Sequence, residues 1–448
     1  MSQLAATNSS FDCASSAPDA RKACVGKEYK ETGYCVFHYP NADKSADFRE
    51  ALRGRLKEEN FNFQGVWFPD ELRFPKGFTF GSQAEFSRAN FNERADFTKT
   101  VFKEQANFYS ANFSARANFD DAEFQKRSNF DSVTFRARTS FHSTLFKDTA
   151  RFFSATFHNR ANFNYARFKR RANFRLTSFK DYVSFQGTND IQVFGDRSWL
   201  DFREVKIDKP DLVSFHTLAL RPHWFVDANA SRFVMTNVEW HSGNVGEELS
   251  IGAEIDELAK KRRGIESPDR LLAIACWNLA INAEENHRYE EASSFRYMAM
   301  DARRLTAWRR TKKQLARLMR SLKRRRRLPR NLLKRSKLWA RSLCENLNLR
   351  CLYWAASGYG EKIVQAFLML VGLWVVFAGL NAFVMRDKAG ERMTLPRAFS
   401  YSAGVMMLQK PEPVQATTAA QSLVLLETLL GPAQAALLLL AIRRKFMR

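Results

Sequence analysis

From Phe86 to Phe185 a phenylalanine recurs at spacings that alternate between five and six residues: Phe86, Phe91, Phe97, Phe102, Phe108, Phe113, and so on to Phe174, Phe179 and Phe185. The repeating unit is therefore eleven residues with two apolar beats. Two residues before each Phe stands a small side chain, Ala at twelve of the nineteen positions and Thr, Val or Ser at the rest, so room is kept beside every ring. The positions between and after are Asn, Asp, Arg, Lys, Ser and Gln. An amphipathic helix returns to its buried face every third or fourth residue and does not fit. Two inward positions separated by one polar residue fit a short strand, and the next polar step fits a corner. Four sides per coil give a 22-residue turn. Phe86, Phe108, Phe130, Phe152 and Phe174 then form one column, with rungs ~4.8 Å apart as in any parallel ladder. Outward positions such as Asn118 are expected to be exposed. Stacked coils bury together what no single coil can bury alone.

This pattern resembles the pentapeptide-repeat family, in which a central Leu or Phe follows Ala by two residues. The resemblance implies a right-handed quadrilateral β-helix, a pentapeptide-repeat solenoid. Looser beats in Phe61–Phe80 and in Val193–Trp240 (Phe194, Phe202, Phe215, Phe225, Phe233) extend the expected β-helix to residues 59–245 with irregular end coils. A helix capped by Ser45, with Phe48, Ala51, Leu52 and Leu56 on one face, is placed to close the open end, whose edge otherwise invites aggregation.

Residues 246–304 lose the Phe rhythm. A stripe of Leu271, Leu272, Ala275, Leu279 and Ala283 predicts one helix, and Tyr289, Ala292, Phe295 and Ala299 a second. The pair resembles one tetratricopeptide-like α-helical hairpin. The acids Glu284, Glu285, Glu290 and Glu291 around His287 read as a solvated turn and not as a metal site. Residues 305–350 are polybasic. Ile363–Met385 is then 23 residues without a charge, and Leu423–Ile442 is a second apolar run. Each is long enough to cross a ~30 Å hydrocarbon core. Residues 351–448 are expected to form a two-span transmembrane α-helical domain.

Charge sharpens this organisation. The 448 residues carry a formal net charge of +24. Residues 303–341 hold eighteen Lys or Arg and no acid, and residues 84–186 hold eighteen bases against ten acids, which leaves the remainder slightly acidic. The basicity is two local features, so nucleic acid is not the expected partner. A rod of net +8 also disfavours the acidic DNA-mimic role known among pentapeptide-repeat proteins. Both spans have basic outer flanks while the loop 386–421 is near neutral. The positive-inside rule then places both termini in the cytoplasm of a multi-pass protein in a bacterial inner membrane. The basic run, centred on Arg324, Arg325, Arg326 and Arg327, is placed to meet an anionic leaflet at ~1 kcal/mol per close base.

Six Cys form no disulfide framework, and the chain opens without a cleavable apolar signal, as expected of a cytosolic N-terminal part. In residues 1–58, Cys13, Cys24, Cys35 and His38 give the spacing C-x10-C-x10-C-x2-H. Three thiolates and an imidazole suit tetrahedral Zn²⁺. Unconnected thiols in a loose segment are the other reading, and both stay open on sequence alone. No nucleophile–base or metal–acid set marks an enzyme.

In the tail, Pro396–Leu408 has the length of a short helix between the spans. Leu430–Arg444 looks like the inner helix of bacterial pentapeptide-repeat proteins with a channel-like tail, and Tyr353–Glu361 resembles the same group's pre-membrane motif. Gly358-Tyr359-Gly360 imitates a potassium filter but precedes the first span, whereas filter carbonyls must line the pore. Where a filter belongs the chain has Gln409, Lys410, Pro411 and Glu412. Glu427, inside the second span, is a functional candidate facing water, other subunits or the outer headgroups. Two functions are expected. One is an anchored scaffold whose β-helix docks an unknown cytosolic protein from a homo-oligomeric, degenerate channel-like tail. The other is a non-selective ion channel or channel-type signalling protein gated by the β-helix.

Overall fold

The computed structural model describes residues 13–14, 24, 27–195, 198–242, 249–261, 267–305, 349–385, 392–409 and 418–446. They fall into two compact units, Met1–Asn282 and Ala283–Arg448. The polybasic run, Arg324–Arg327 included, lies outside the described residues, as do Lys410, Pro411 and Glu412.

The first unit is a four-sided β-solenoid. Its strands are mostly two residues long and all pair in parallel, building ladders of seven, eight, five and six strands. Successive rungs are one coil apart: Asn90 pairs with Asn112, and Asn112 with Thr134. The 22-residue turn is thus the observed one. Rings stack directly up each column, with centroids 4.9 Å apart for Phe86–Phe108 and Phe108–Phe130, 5.0 Å for Phe130–Phe152 and 4.8 Å for Phe152–Phe174, tilted by 5° or less. Neighbouring columns meet edge to face, as Phe86 does with Phe97. Ala84, Ala95, Ala106 and Ala117 are buried between them. This regular Phe ladder is consistent with a pentapeptide-repeat β-helix.

The backbone explains why the beat alternates. After Phe86, Phe97, Phe108, Phe119 and each equivalent, the Phe carbonyl accepts from the amide three residues on, closing a tight turn. The third residue of each such turn has positive φ: Arg88, Lys99, Ser110, Asp121, Ser132, Ser143, Ser154, Tyr165 and Leu176 recur every eleven residues. That is the type II geometry. The tight corner takes five residues and the open corner six. None of these left-handed positions is Gly, so side-chain identity does not reveal them, and each holds a conformation that non-glycine residues adopt reluctantly.

The outward positions are less exposed than expected. Asn118 is buried, its amide donating to Thr98 Oγ1 at 3.0 Å and its carbonyl oxygen accepting from Asp120 N at 3.1 Å. Asn112 reaches Asn90, and Asn129 reaches Asn107, both at 2.9 Å across one coil. Polar side chains thus form their own ladders over the backbone.

Both solenoid ends are covered. Helix α1 (Ser45–Lys57) lays Phe48 edge-on against Phe37 and Phe68. Ser45 does not cap it; Lys44 occupies that position, and the Ser45 hydroxyl bonds Ala42 O and Asp70 Oδ1 at 2.7 Å, tying the helix to the first coil. At the other end strands lengthen to Val213–Leu220 and Val234–Trp240. There α2 (Ile251–Lys261) and α3 (Pro268–Glu285) follow. Asn282 of α3 places Nδ2 within hydrogen-bond reach of the carbonyls of Ala230, Ser231 and Phe233.

The second unit contains α4 (residues 289–305), α5 (Leu349–Ser357), α6 (Ile363–Val384), α7 (Leu395–Met406) and α8 (Thr418–Phe446). Helices α6 and α8 are long and apolar enough to cross a membrane. The second apolar helix starts at Thr418, five residues before the apolar run Leu423–Ile442. The division between units falls between Asn282 and Ala283, inside the predicted helix pair.

Packing of Ala beside stacked Phe makes a direct prediction. Ala117→Leu overfills the coil and lowers stability by ~1–3 kcal/mol. Asn118→Ser withdraws an amide from Thr98 and costs ~0.5–1.5 kcal/mol. Chemical unfolding of the two variants beside the parent chain measures both, and a neutral Ala117→Leu excludes the inward assignment.

Candidate functional site

Two side-chain constellations stand out, one in each unit. The first is at the N-terminal end of the solenoid. The ligand atoms of Cys13, Cys24, Cys35 and His38 all lie within 4.8 Å of one another. His38 Nδ1 is 3.5 Å from Cys13 Sγ and 3.1 Å from Cys35 Sγ. These separations suit a tetrahedral site, in which ~2.3 Å metal–sulfur bonds put donors a little under 4 Å apart. The imidazole is fixed from behind, because His38 Nε2 sits 3.1 Å from the carbonyl of Gln64. A proton on Nε2 leaves the Nδ1 lone pair pointing at the thiols, the usual outer support of a metal-ligating histidine. The Cys35 amide donates to Cys13 Sγ at 3.4 Å.

Local sequence positions these groups. The Cys35–His38 tetrapeptide folds as one turn, with His38 N bonded to Cys35 O. Phe37 within that turn is fully buried under α1, so the turn is clamped to the cap. Two cations line the same pocket. Lys44 is buried, its Nζ donating to the Phe37 carbonyl at 3.0 Å. Burial pushes its ammonium down to about 7, against the pull of the Cys35 thiol. The Arg55 guanidinium covers the Phe37 ring at 4.3 Å; burial lowers it, while Cys35 and Cys24 raise it. Three thiolates around a divalent ion leave one net negative charge, and these cations are placed to offset it. The donor set and its surroundings therefore fit a metal, and the sequence-predicted four are brought together.

The second constellation holds the tail. Glu427, in α8, is fully buried. Asn381 of α6 donates Nδ2 to its Oε2 at 2.9 Å, and Ser402 of α7 donates its hydroxyl to Oε1. One carboxyl thus binds three helices, and it faces their shared interior. Asn381 Oδ1 is buried with no hydrogen-bond partner. Trp374 of α6 adds a bond from Nε1 to the Phe399 carbonyl at 3.0 Å. Gly431 permits close approach of α8 to α7, since a Cβ there would stand 2.7 Å from Met406 Cγ.

Gly358-Tyr359-Gly360 is a single turn before α6. Gly358 and Gly360 have positive φ, and Tyr359 has φ of 63°. Its carbonyl accepts from Arg444 Nη1 at 2.8 Å, so it is occupied within the chain. Gln434 of α8 donates to the carbonyls of Ala356 and Ala366, at 2.7 and 2.9 Å. Gln409 follows the end of α7, its amide closing onto Gly404 O at 2.9 Å beyond a left-handed Leu408. Of the sequence-predicted pore-like residues, Gln409 and Glu427 are described and stand apart in role: one ends a helix, the other locks three together.

Sequence reasoning missed the partners. Nothing in the positions of Asn381 and Ser402 marks them as bonded to Glu427. A further buried pair was not legible either: His223, in the last coil, directs N and Nδ1 to Glu254 Oε2 of α2 at 2.9 and 2.7 Å. Their 31-residue separation carries no signal.

No family model, no curated protein and no solved structure matches the chain, so the reading of these sites rests on their geometry.

The tail geometry predicts that Glu427→Gln is tolerated. The amide keeps an acceptor and offers Nε2 to the unpartnered Asn381 Oδ1. Glu427→Leu breaks both bonds and loosens α7 at ~0.6–2 kcal/mol, the range for polar contacts between helices in membranes. Unfolding in detergent, with protease sensitivity of segment 392–409, measures this; a Leu variant as stable as the parent removes the lock.

Proposed function

We propose that the chain is a membrane-anchored solenoid whose cytosolic rod is a protein-docking scaffold, held by a degenerate channel-like tail in a bacterial inner membrane. The observation that carries this reading is the filled interior. Phe rings occupy the solenoid axis at stacking distance throughout, so the rod offers no internal site and all of its recognition is external. The anchor is supported by the outer faces of α6 and α8, where Val364, Phe367, Leu368, Phe383, Leu425, Leu429 and Leu439 are exposed. Such faces are stable against lipid or against copies of the same tail. The charge pattern puts both termini in the cytoplasm, with the polybasic segment 305–350 on the anionic leaflet.

A zinc ion held by Cys13, Cys24, Cys35 and His38 completes the N-terminal cap in this reading. Its contribution is structural: four protein ligands close the site and leave no position for a substrate. Binding also adds to folding free energy, because the four donors are scattered in the unfolded chain.

A second reading, a non-selective pore, is favoured by one observation: the short helix α7 lies between the two spans in sequence and bonds to both. Potassium selectivity is not expected in either case. Successive axial carbonyls need a permissive backbone, and residues 409–413 contain two Pro, a Lys and a Glu.

Full-length protein reconstituted in liposomes, with and without residues 1–350, should show no potassium-over-sodium preference and no flux above that of empty vesicles. If a pore exists at that position, Lys410→Gln increases cation flux, because a ring of ammonium groups is a cation barrier. Selective potassium flux in the unaltered chain overturns the scaffold reading.

Freshly purified, unchelated protein should carry about one Zn²⁺ per chain. Cys24→Ser should lose it and make residues 27–58 protease-sensitive while leaving the coils intact. Metal analysis that finds no zinc in the parent protein removes the metal from the cap.

A further inference from the structure

One edge of the solenoid carries a single file of arginines, paired with acids only at its base. At the open corner between the first two ladders, Arg94, Arg116, Arg138 and Arg160 occupy equivalent positions 22 residues apart. Their backbone register is fixed: the carbonyls of Arg116, Arg138 and Arg160 accept from Ala95, Ala117 and Thr139 of the preceding coil, at 3.0, 3.3 and 2.9 Å. Arg94, at the base, is held by Asp96 at 2.9 Å. Arg116, Arg138 and Arg160 are exposed, and none makes an ion pair among the described residues. Arg136 stands beside them, its Nε donating to Asn112 Oδ1 at 3.1 Å.

Several cations elsewhere on the rod meet acids one coil away. Lys147 pairs with Glu123, Arg151 with Asp131, Arg171 with Asp201 and Lys180 with Asp208. The other open corner carries Gln105, Arg127, Thr149 and Arg171 at the matching positions, with Glu104 and Asp148 between. By contrast, segments 111–119, 133–142 and 155–164 contain no acid. Asp120, which follows the first of these segments, is already used by the Ser140 hydroxyl and the His142 amide. Like charges on adjacent rungs repel, so this file gains from an external anion.

We propose that the Arg116–Arg138–Arg160 file docks an acidic helix of a partner protein, laid along the solenoid axis. Three rungs span ~10 Å. Carboxylates at i, i+3 and i+7 of a helix span ~10.5 Å, and each suits a bidentate guanidinium fork. A single file suits a linear ligand better than a planar leaflet. No exposed Phe, Tyr or Trp stands in the three acid-free segments to stack a base, as single-stranded nucleic acid would require. The proposal rests on the reading of the rod as a docking scaffold and names its surface and its partner class.

The test uses full-length protein in nanodiscs of neutral lipid. Fluorescence anisotropy reads the binding of a labelled helical peptide with Glu at i, i+3 and i+7, and of the same composition with the glutamates scattered around the helix. The triple substitution Arg116→Gln, Arg138→Gln, Arg160→Gln leaves the polybasic segment unchanged, so its effect isolates the file. Expected is a loss of at least tenfold for the patterned peptide and less than threefold for the scattered one. Circular dichroism of the variant confirms that the coils remain folded; single Arg138→Gln, with a smaller loss in the same direction, serves if they do not. Equal binding by parent and variant overturns the proposal. So does a larger loss for anionic vesicles or for a single-stranded oligonucleotide, which would assign the file to those ligands. Ion flux of the same protein reconstituted in sealed liposomes reports separately on the tail: flux with intact peptide binding makes the tail a pore and leaves the file standing, and no binding of the patterned peptide by the parent, without flux, sinks the file alone.

Discussion

Ring stacking along the axis is the interaction on which the first unit depends. A two-residue strand makes too few hydrogen bonds to persist, and within its own coil its one inward Phe meets its neighbours only edge-on or tilted, as Phe86 meets Phe97 and Phe91. Each ring is buried by the coil above and the coil below, at 4.4 to 5.1 Å through the regular coils from Phe86 to Phe185. The solenoid is therefore cooperative along its axis and vulnerable at its ends, where a ring column would otherwise meet water. The caps answer that vulnerability in different ways. At the first coil, Phe37, Phe48 and Phe68 continue the aromatic contacts into α1. At the last, His223 and Glu254 pin α2, and Asn282 of α3 gathers three carbonyls left by the closing turns.

The cysteine cluster fits the same constraint. Its residues lie N-terminal to α1, and His38 reaches the carbonyl of Gln64 just before the first strand. A metal held by these four residues would crosslink the cap to the first coil at that point. The buried Lys44 is supported by the Phe37 carbonyl and by the faces of Phe48 and Trp67, and negative charge at Cys35 favours its ammonium form against burial.

The fold was largely legible because solenoid packing writes its period into the sequence. Phe and Ala at fixed offsets gave the strand, the coil length and the columns, down to which rings face which. The left-handed corners were not legible, because Arg88, Ser143 and Leu176 share a backbone conformation and no chemistry. Asn118 was misjudged because an outward direction is not the same as exposure when the next coil lies ~4.8 Å away. Among sites, the cysteine set was visible as residue types and its closeness was not. For Glu427 the sequence showed an ionisable group in an apolar run, while its partners lie 46 and 25 residues away on other helices.

The rod and the tail solve opposite problems, and this decides where variation is tolerated. In the tail the exterior is uniform and apolar, so specificity is internal: Glu427, Asn381, Ser402 and Gln434 set how the helices meet. In the rod the interior is uniform, so specificity can only be external, in residues that the fold leaves free. Of the three residues between Phe and the next Ala at an open corner, none points inward and none must adopt positive φ. A corner of this kind accepts any polar residue at each coil. Arg at the same step of four successive coils is therefore not required by packing, and repulsion between rungs works against it. What the fold neither needs nor favours is the part of the sequence most directly attributable to something outside the chain.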